Sequence, residues 1–161
     1  MTPIASTPRE LKARYLYQFA EPLISESCPR GWFPVFARLC SAIDELLGDN
    51  KHGFMWRQIK EKHGSVRFHY TMGFFSKESD DPDEAPYLRT LEEKQIADEI
   101  ARLVHSASKL TERICVVCGS TGAMQTHDGY TLAVCDHHKA QWLAGNWVQD
   151  FYLDADDRAG P

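Results

Sequence analysis

Four residues near the C-terminus constrain this chain more than any other feature: Cys115, Cys118, Cys135 and His138. They read Cys-x-x-Cys, sixteen residues, then Cys-x-x-His, within ICVVCGSTGAMQTHDGYTLAVCDHHKAQW. Three thiolates and an imidazole suit a tetrahedral Zn²⁺ ion, and four protein ligands leave no coordination position open to a substrate. A closed site of this kind supports folding and does no chemistry. His137 is an alternative fourth ligand and His127 a weaker one; His138 is preferred because its spacing mirrors the first pair. The competing reading is a redox Cys-x-x-Cys, but the flanking sequence has no βαβ pattern to carry it.

The residues around the ligands predict the local fold. Gly119 follows the first pair, where a tight knuckle requires positive φ. Met124–His127 and Tyr130–Val134 flank Asp128-Gly129, a strong signal for a two-residue hairpin turn. The second pair opens a segment from Asp136 to about Val148, in which Trp142, Leu143, Trp147 and Phe151 fall at helical spacing. Knuckle, hairpin, then a helix with ligands in its first turn is the order of a treble-clef zinc finger.

Upstream, the pattern is α+β. Thr7-Pro8-Arg9-Glu10 predicts a capped helix start, with Leu11, Tyr15, Phe19 and Leu23 as its apolar stripe and Pro22 bending or ending it. After a break at Cys28-Pro29-Arg30-Gly31, Trp32 leads into a second helix that buries Phe36, Leu39, Cys40, Ile43 and Leu47 and ends at Gly48. The period then changes to alternation, predicting strands Phe54–Lys60 and Ser65–Met72 around a Lys62-His63-Gly64 turn, with Val66, Phe68, Tyr70 and Met72 on one face. Ser76–Pro86 reads as a mobile polar loop that lacks the glycine and closing glutamate of a calcium loop. Thr90-x-x-Glu93 caps a third helix, with Ile96, Ile100, Leu103, Val104 and Ala107 on one face.

The expected architecture is therefore three to four helices packed on a small antiparallel hairpin or sheet, with a C-terminal treble-clef zinc finger. Its organisation is a core over residues 1–110, a finger over 111–150 packed on it, and an acidic tail over 151–161.

Composition narrows the function. Five cysteines, three of them in a metal pattern, point to a reducing compartment and hence the cytoplasm, with Cys28 and Cys40 reduced, buried and inert. No run is long enough to span a membrane, and the N-terminus has no apolar signal core. A net charge of −5 argues against bulk nucleic-acid affinity. Against that acidic background Arg57, Lys60, Lys62 and Arg67 with Glu61 give the hairpin a local charge of +3. A solvated strand face explains such a patch, and so does a surface for phosphate or an acidic partner.

GWFPVFARLCSAIDELL, QIKEKHGSVRFHY, CVVCG and TLAVCDHH together resemble a group of small uncharacterised proteins common in bacteriophages and prophages. The resemblance spans about Cys28 to His138. The chain departs from that group at His63, where Phe is usual, at His69 before Tyr70, and in carrying Ala133-Val134 between Leu132 and Cys135. The zinc ligands are unaffected by these departures. The resemblance implies a phage-like origin and a fold.

Three functions compete on this sequence. The favoured one is a non-catalytic, zinc-stabilised binding protein that acts on a host protein in the host cytoplasm, for instance as a counter-defence or host-takeover inhibitor. Its candidate surface comprises Arg57, Lys60, Lys62, Arg67, His69, Trp142 and Trp147. Neither a membrane nor a small-molecule substrate is expected. The second is nucleic-acid binding, with the basic hairpin contacting phosphate and Trp56, His69 and Tyr70 stacking on bases. The third is a His-Asn-His-type nuclease with His127 activating water. Only seven residues separate His127 from Cys135, which omits the loop and Asn of such a site.

Overall fold

The Thr7 hydroxyl accepts a hydrogen bond from the Glu10 amide (3.2 Å), and Pro8 takes the first helical position of α1 (Pro8–Arg14). Helix α1 is shorter than its apolar spacing predicts. Tyr15 leaves helical backbone and a 3₁₀ turn, Leu16–Gln18, follows. Leu11, Tyr15 and Phe19 are buried all the same, because the tighter turn delivers Phe19 to the core by another route. Pro22, Leu23, the Ser76–Pro86 loop, Val148 and the tail from Asp154 lie outside the described residues. These are 3–19, 28–73, 90–147 and 151–153 in this computed structural model.

A 3₁₀ turn at Arg30–Trp32 runs into α2 (Phe33–Leu47), which buries Phe36, Leu39, Cys40, Ile43 and Leu47 and stops at Gly48, φ 58°. Helix α2 packs on α3 (Leu91–Thr111), which starts where the Thr90 hydroxyl accepts the Glu93 amide (3.1 Å). Ile100 and Ala107 are the buried part of its predicted stripe.

Strands β1 (Met55–Lys62) and β2 (Ser65–Thr71) pair antiparallel through a two-residue turn, with His63 and Gly64 both at positive φ (52° and 84°). The register shifts between Trp56 and Gln58. This bulge resolves a conflict in the sequence. Trp56 and Ile59 are three residues apart, yet both are buried, so one extra residue must restart the alternation. Phe36 of α2 sits on the inner face, 5.5 Å from the Trp56 ring and 5.8 Å from that of Phe68.

Two polar groups are buried with their partners. Gln18 donates to the Cys40 carbonyl (2.9 Å) and the Tyr17 hydroxyl (3.0 Å), and accepts from the Trp56 indole N–H (3.1 Å). Replacing it with Leu strands that indole donor in the core. Gln18→Leu is therefore expected to lower stability by about 1–3 kcal/mol, read as a lower urea midpoint at unchanged slope. Thr111 accepts the Val66 amide (3.1 Å), while the Ser108 hydroxyl donates to the Val66 carbonyl (2.6 Å). Helix α3 thereby covers the outer edge of β2 at that residue.

The C-terminal sheet is the hairpin β3 (Ala123–His127) and β4 (Tyr130–Val134), turning at Asp128-Gly129 with φ of 49° and 80°. Helix α4 (Asp136–Leu143) follows. It ends five residues before the predicted end, where Gly145 adopts φ 76° and its amide bonds back to the Trp142 carbonyl. Trp147 and Phe151 thus lie beyond the helix. The apolar spacing there comes from a ladder of rings, Trp142 to Trp147 (5.1 Å) to Phe151 (5.9 Å).

Among the described residues, several contacts join this unit to the rest. The Gly31 amide donates to the Val116 carbonyl (3.0 Å), the Trp32 indole donates to the Ile114 carbonyl (2.9 Å), and Gly64 at the first hairpin tip lies against Met124. Phe151–Leu153, counted with the acidic tail on sequence, instead return to the core. Phe151 and Leu153 are buried, the Phe151 carbonyl accepts the Arg30 amide (2.7 Å), and Tyr152 bridges Pro29.

Candidate metal centre

Two local devices deliver the ligand pairs. Cys115 and Cys118 sit on a tight turn closed by a hydrogen bond from the Gly119 amide to the Cys115 carbonyl (2.9 Å), with Gly119 at φ 77°. Ala133 and Ser120 brace the turn, accepting from the Val116 amide (2.8 Å) and the Cys115 amide (2.7 Å). Cys135 is the N-cap of α4 and His138 lies in its first turn, so the i, i+3 spacing puts both on one side.

The four ligand atoms converge within 4.8 Å of one another. The Cys118 and Cys135 sulfurs are 3.8 Å apart, and His138 Nδ1 lies 3.2 Å from Cys135 Sγ and 3.4 Å from Cys115 Sγ. Tetrahedral zinc, from its usual bond lengths, separates two sulfurs by about 3.8 Å and a sulfur from a nitrogen by about 3.6 Å. The donor set fits such an ion in both type and spacing.

Electrostatics around the ligands differ. Burial pushes the Cys115 thiol up. Burial also opposes ionisation of Cys118, but hydrogen bonding with the Ser120 hydroxyl (3.3 Å) and amide outweighs it and brings that thiol below its ordinary range. Burial, with His137 nearby, holds His138 below the usual imidazole value, favouring the neutral form that binds metal.

The alternative ligands stand elsewhere. His137 is exposed, its ring 5.1 Å from that of His138. His127 lies edge-on to Trp142 (5.5 Å), with Nε2 3.3 Å from an Asp128 carboxylate oxygen. Among the described residues this is the one Cys/His/Asp/Glu group placed to hold a metal. Cys28 and Cys40 are fully buried, and burial raises both thiols, Cys28 to about 12. Both are expected to resist a thiol-specific reagent until the protein unfolds. A folded thiol near 12 against an ordinary 9.0 also means that stability falls as pH rises above about 9, because only the unfolded chain ionises there.

Sequence reasoning placed seven residues on a candidate binding surface, and the structure separates them. Arg57, Lys60, Lys62, Arg67 and His69 are all exposed on the outward side of the first hairpin. Trp142 is only 7 % exposed, and Trp147 is half-buried against it, so the pair packs the finger internally and Trp142 is no surface aromatic. Of the three rings expected to stack on bases, Trp56 (2 % exposed) and the half-buried Tyr70 lie on the inner face, and His69 is exposed. Sequence reasoning missed Gly31 and Trp32 as supports of the knuckle. The Gly-Trp dipeptide was visible, but its partner lies more than 80 residues away in sequence.

Fold and site together define the class: an α+β protein whose described residues form four helices and two small antiparallel hairpins, with a C-terminal Cys₃His cluster of metal-ligand geometry. No family model, curated protein or solved structure matches the chain. No helix among the described residues is long and apolar enough to cross a membrane.

Proposed function

We propose that this chain is a zinc-stabilised, non-catalytic binding protein, phage-derived, that acts in the host cytoplasm by occupying a host protein. The observation that carries the reading is the completeness of the Cys115, Cys118, Cys135 and His138 set. Four protein ligands saturate tetrahedral zinc, so the ion's work is to hold the knuckle, β4 and α4 together. The phage origin rests on the sequence resemblance. The proposal that it acts on a host protein is supported by a small fold with four protein ligands for its metal and an exposed charged sheet face.

Nucleic-acid binding is the second reading, favoured by that same basic face. It is weakened by the inward position of Trp56 and Tyr70, which leaves His69 as the one exposed ring of the three.

Affinity purification of the tagged, metal-loaded protein from bacterial lysate, with and without nuclease, separates these readings. One host protein retained after nuclease treatment is the expected result. Recovery lost on nuclease treatment favours the second reading. Plasmid nicking with Mg²⁺ or Mn²⁺ that stops in His127→Ala overturns the non-catalytic one.

A further inference from the structure

We infer that the outward face of the β1–β2 hairpin is the docking surface, and that its occupant is an extended acidic polypeptide segment of the partner; this rests on the binding-protein reading above. The bulge after Trp56 turns Arg57 outward and restarts the pleat so that Lys60 and Lys62 face solvent with Arg67 and His69. Arg57 is positioned by its Nε–H, which donates to the Thr71 hydroxyl (3.2 Å). Four full cationic charges thus share one small face of a chain whose net charge is −5.

Two features argue against an ordinary solvated face. Lys60 stands directly opposite Arg67, and like charges at opposed positions destabilise a hairpin. Glu61, the one acid within these two strands, is half-buried and accepts the Gly64 amide (2.9 Å), so it does not offset them. Edge protection is also less needed at Arg67, because α3 covers the outer edge of its strand at the adjacent Val66.

The chemistry of the face selects the occupant. Lys60 and Lys62, like Arg67 and His69, are two residues apart on a strand, about 6.8 Å. Alternate side chains of an extended peptide repeat at the same distance, so carboxylates at i and i+2 meet successive cations. A duplex carries a charge about every 1.7 Å and would also bring its field against the acidic remainder of the protein. Among the described residues His69 is the one ring exposed on this face, short of the run of rings on which successive bases stack.

The test uses the full metal-loaded chain and a fluorescein-labelled peptide of about twelve residues alternating Glu and Ser, read by anisotropy at about 50 mM and 300 mM salt. Binding at low salt that weakens at high salt is expected. Lys60→Gln/Arg67→Gln should weaken it by about tenfold while Lys94→Gln, a charge change on α3, leaves it intact. Undiminished binding by the double variant, equal loss in Lys94→Gln, or no binding at low salt overturns the inference. So does tighter binding of an oligothymidine of equal length, which makes the face a phosphate surface. If the double variant still captures a host protein from lysate, the binding reading stands and this face is the wrong one. Circular dichroism of each variant separates lost binding from lost folding.

Discussion

Chelating the metal, or replacing Cys135 with Ala, is expected to unfold the C-terminal unit and loosen the start of α2. The ligands come from two separate chain segments, and α4 brings little core of its own. Trp142 is the only buried residue of α4, and its apolar moment is weak. Structural zinc contributes about 10–16 kcal/mol in isolated fingers, comparable with the whole stability of a typical domain at about 5–15 kcal/mol. Loss of even half of that lowers the melting temperature by about 10–30 °C in a chain of this size. The effect should reach the other half of the molecule, because Gly31 and Trp32 bond to carbonyls of Val116 and Ile114. Thermal melts followed by circular dichroism and tryptophan emission test both parts. Wild-type stability of Cys135→Ala after chelation would sink the structural-zinc proposal, and an unchanged Trp32 environment would sink the coupling.

Gly31→Ala is expected to be nearly as damaging, although it removes nothing. A Cβ at position 31 would fall almost on the Cys115 carbonyl oxygen, 2.7 Å from the Gly119 nitrogen and 2.8 Å from the Val116 oxygen. All three are backbone atoms of the knuckle, which the ligand geometry holds in place. No side chain can swing away, so either the knuckle or the Arg30–Trp32 turn must move. A cost above about 3 kcal/mol is expected, together with weaker metal retention against a competing chelator. Gly129→Ala is the control. That glycine has positive φ (80°) but open space around its Cβ position, so its cost should stay near 1 kcal/mol, roughly the conformational term alone. Equal costs for the two would mean that the close approach at Gly31 does not matter.

Much of this structure was legible from residues acting locally. The Thr7 and Thr90 caps, the Gly48 stop, the His63-Gly64 and Asp128-Gly129 turns and the Gly119 knuckle are all set by a few neighbouring residues. In each, a short polar side chain or a glycine satisfies a geometry that few others can. The gathering of Cys115, Cys118, Cys135 and His138 was equally legible, because a metal site requires particular donors and short loops impose their spacing. The errors came where a local signal had two solutions. Apolar residues at helical spacing beyond Leu143 proved to be a ring ladder, and those beyond Arg14 a 3₁₀ turn, since periodicity reports burial and not the backbone path that achieves it. The bulge was detectable in principle from the odd interval between Trp56 and Ile59.

Residue chemistry and spacing alone settled the α+β class, the first hairpin's inner and outer faces, and which four residues gather at the cluster. Packing between distant segments settled the rest: that Gly31 and Trp32 carry the knuckle, that Phe151–Leu153 return to the core, and that Trp142 is interior while Arg57, Lys60, Lys62 and Arg67 stay outside together. Turns and metal loops are decided within a few residues of backbone. Which face meets which neighbour depends on segments brought together across the whole chain, and no local pattern encodes that distance.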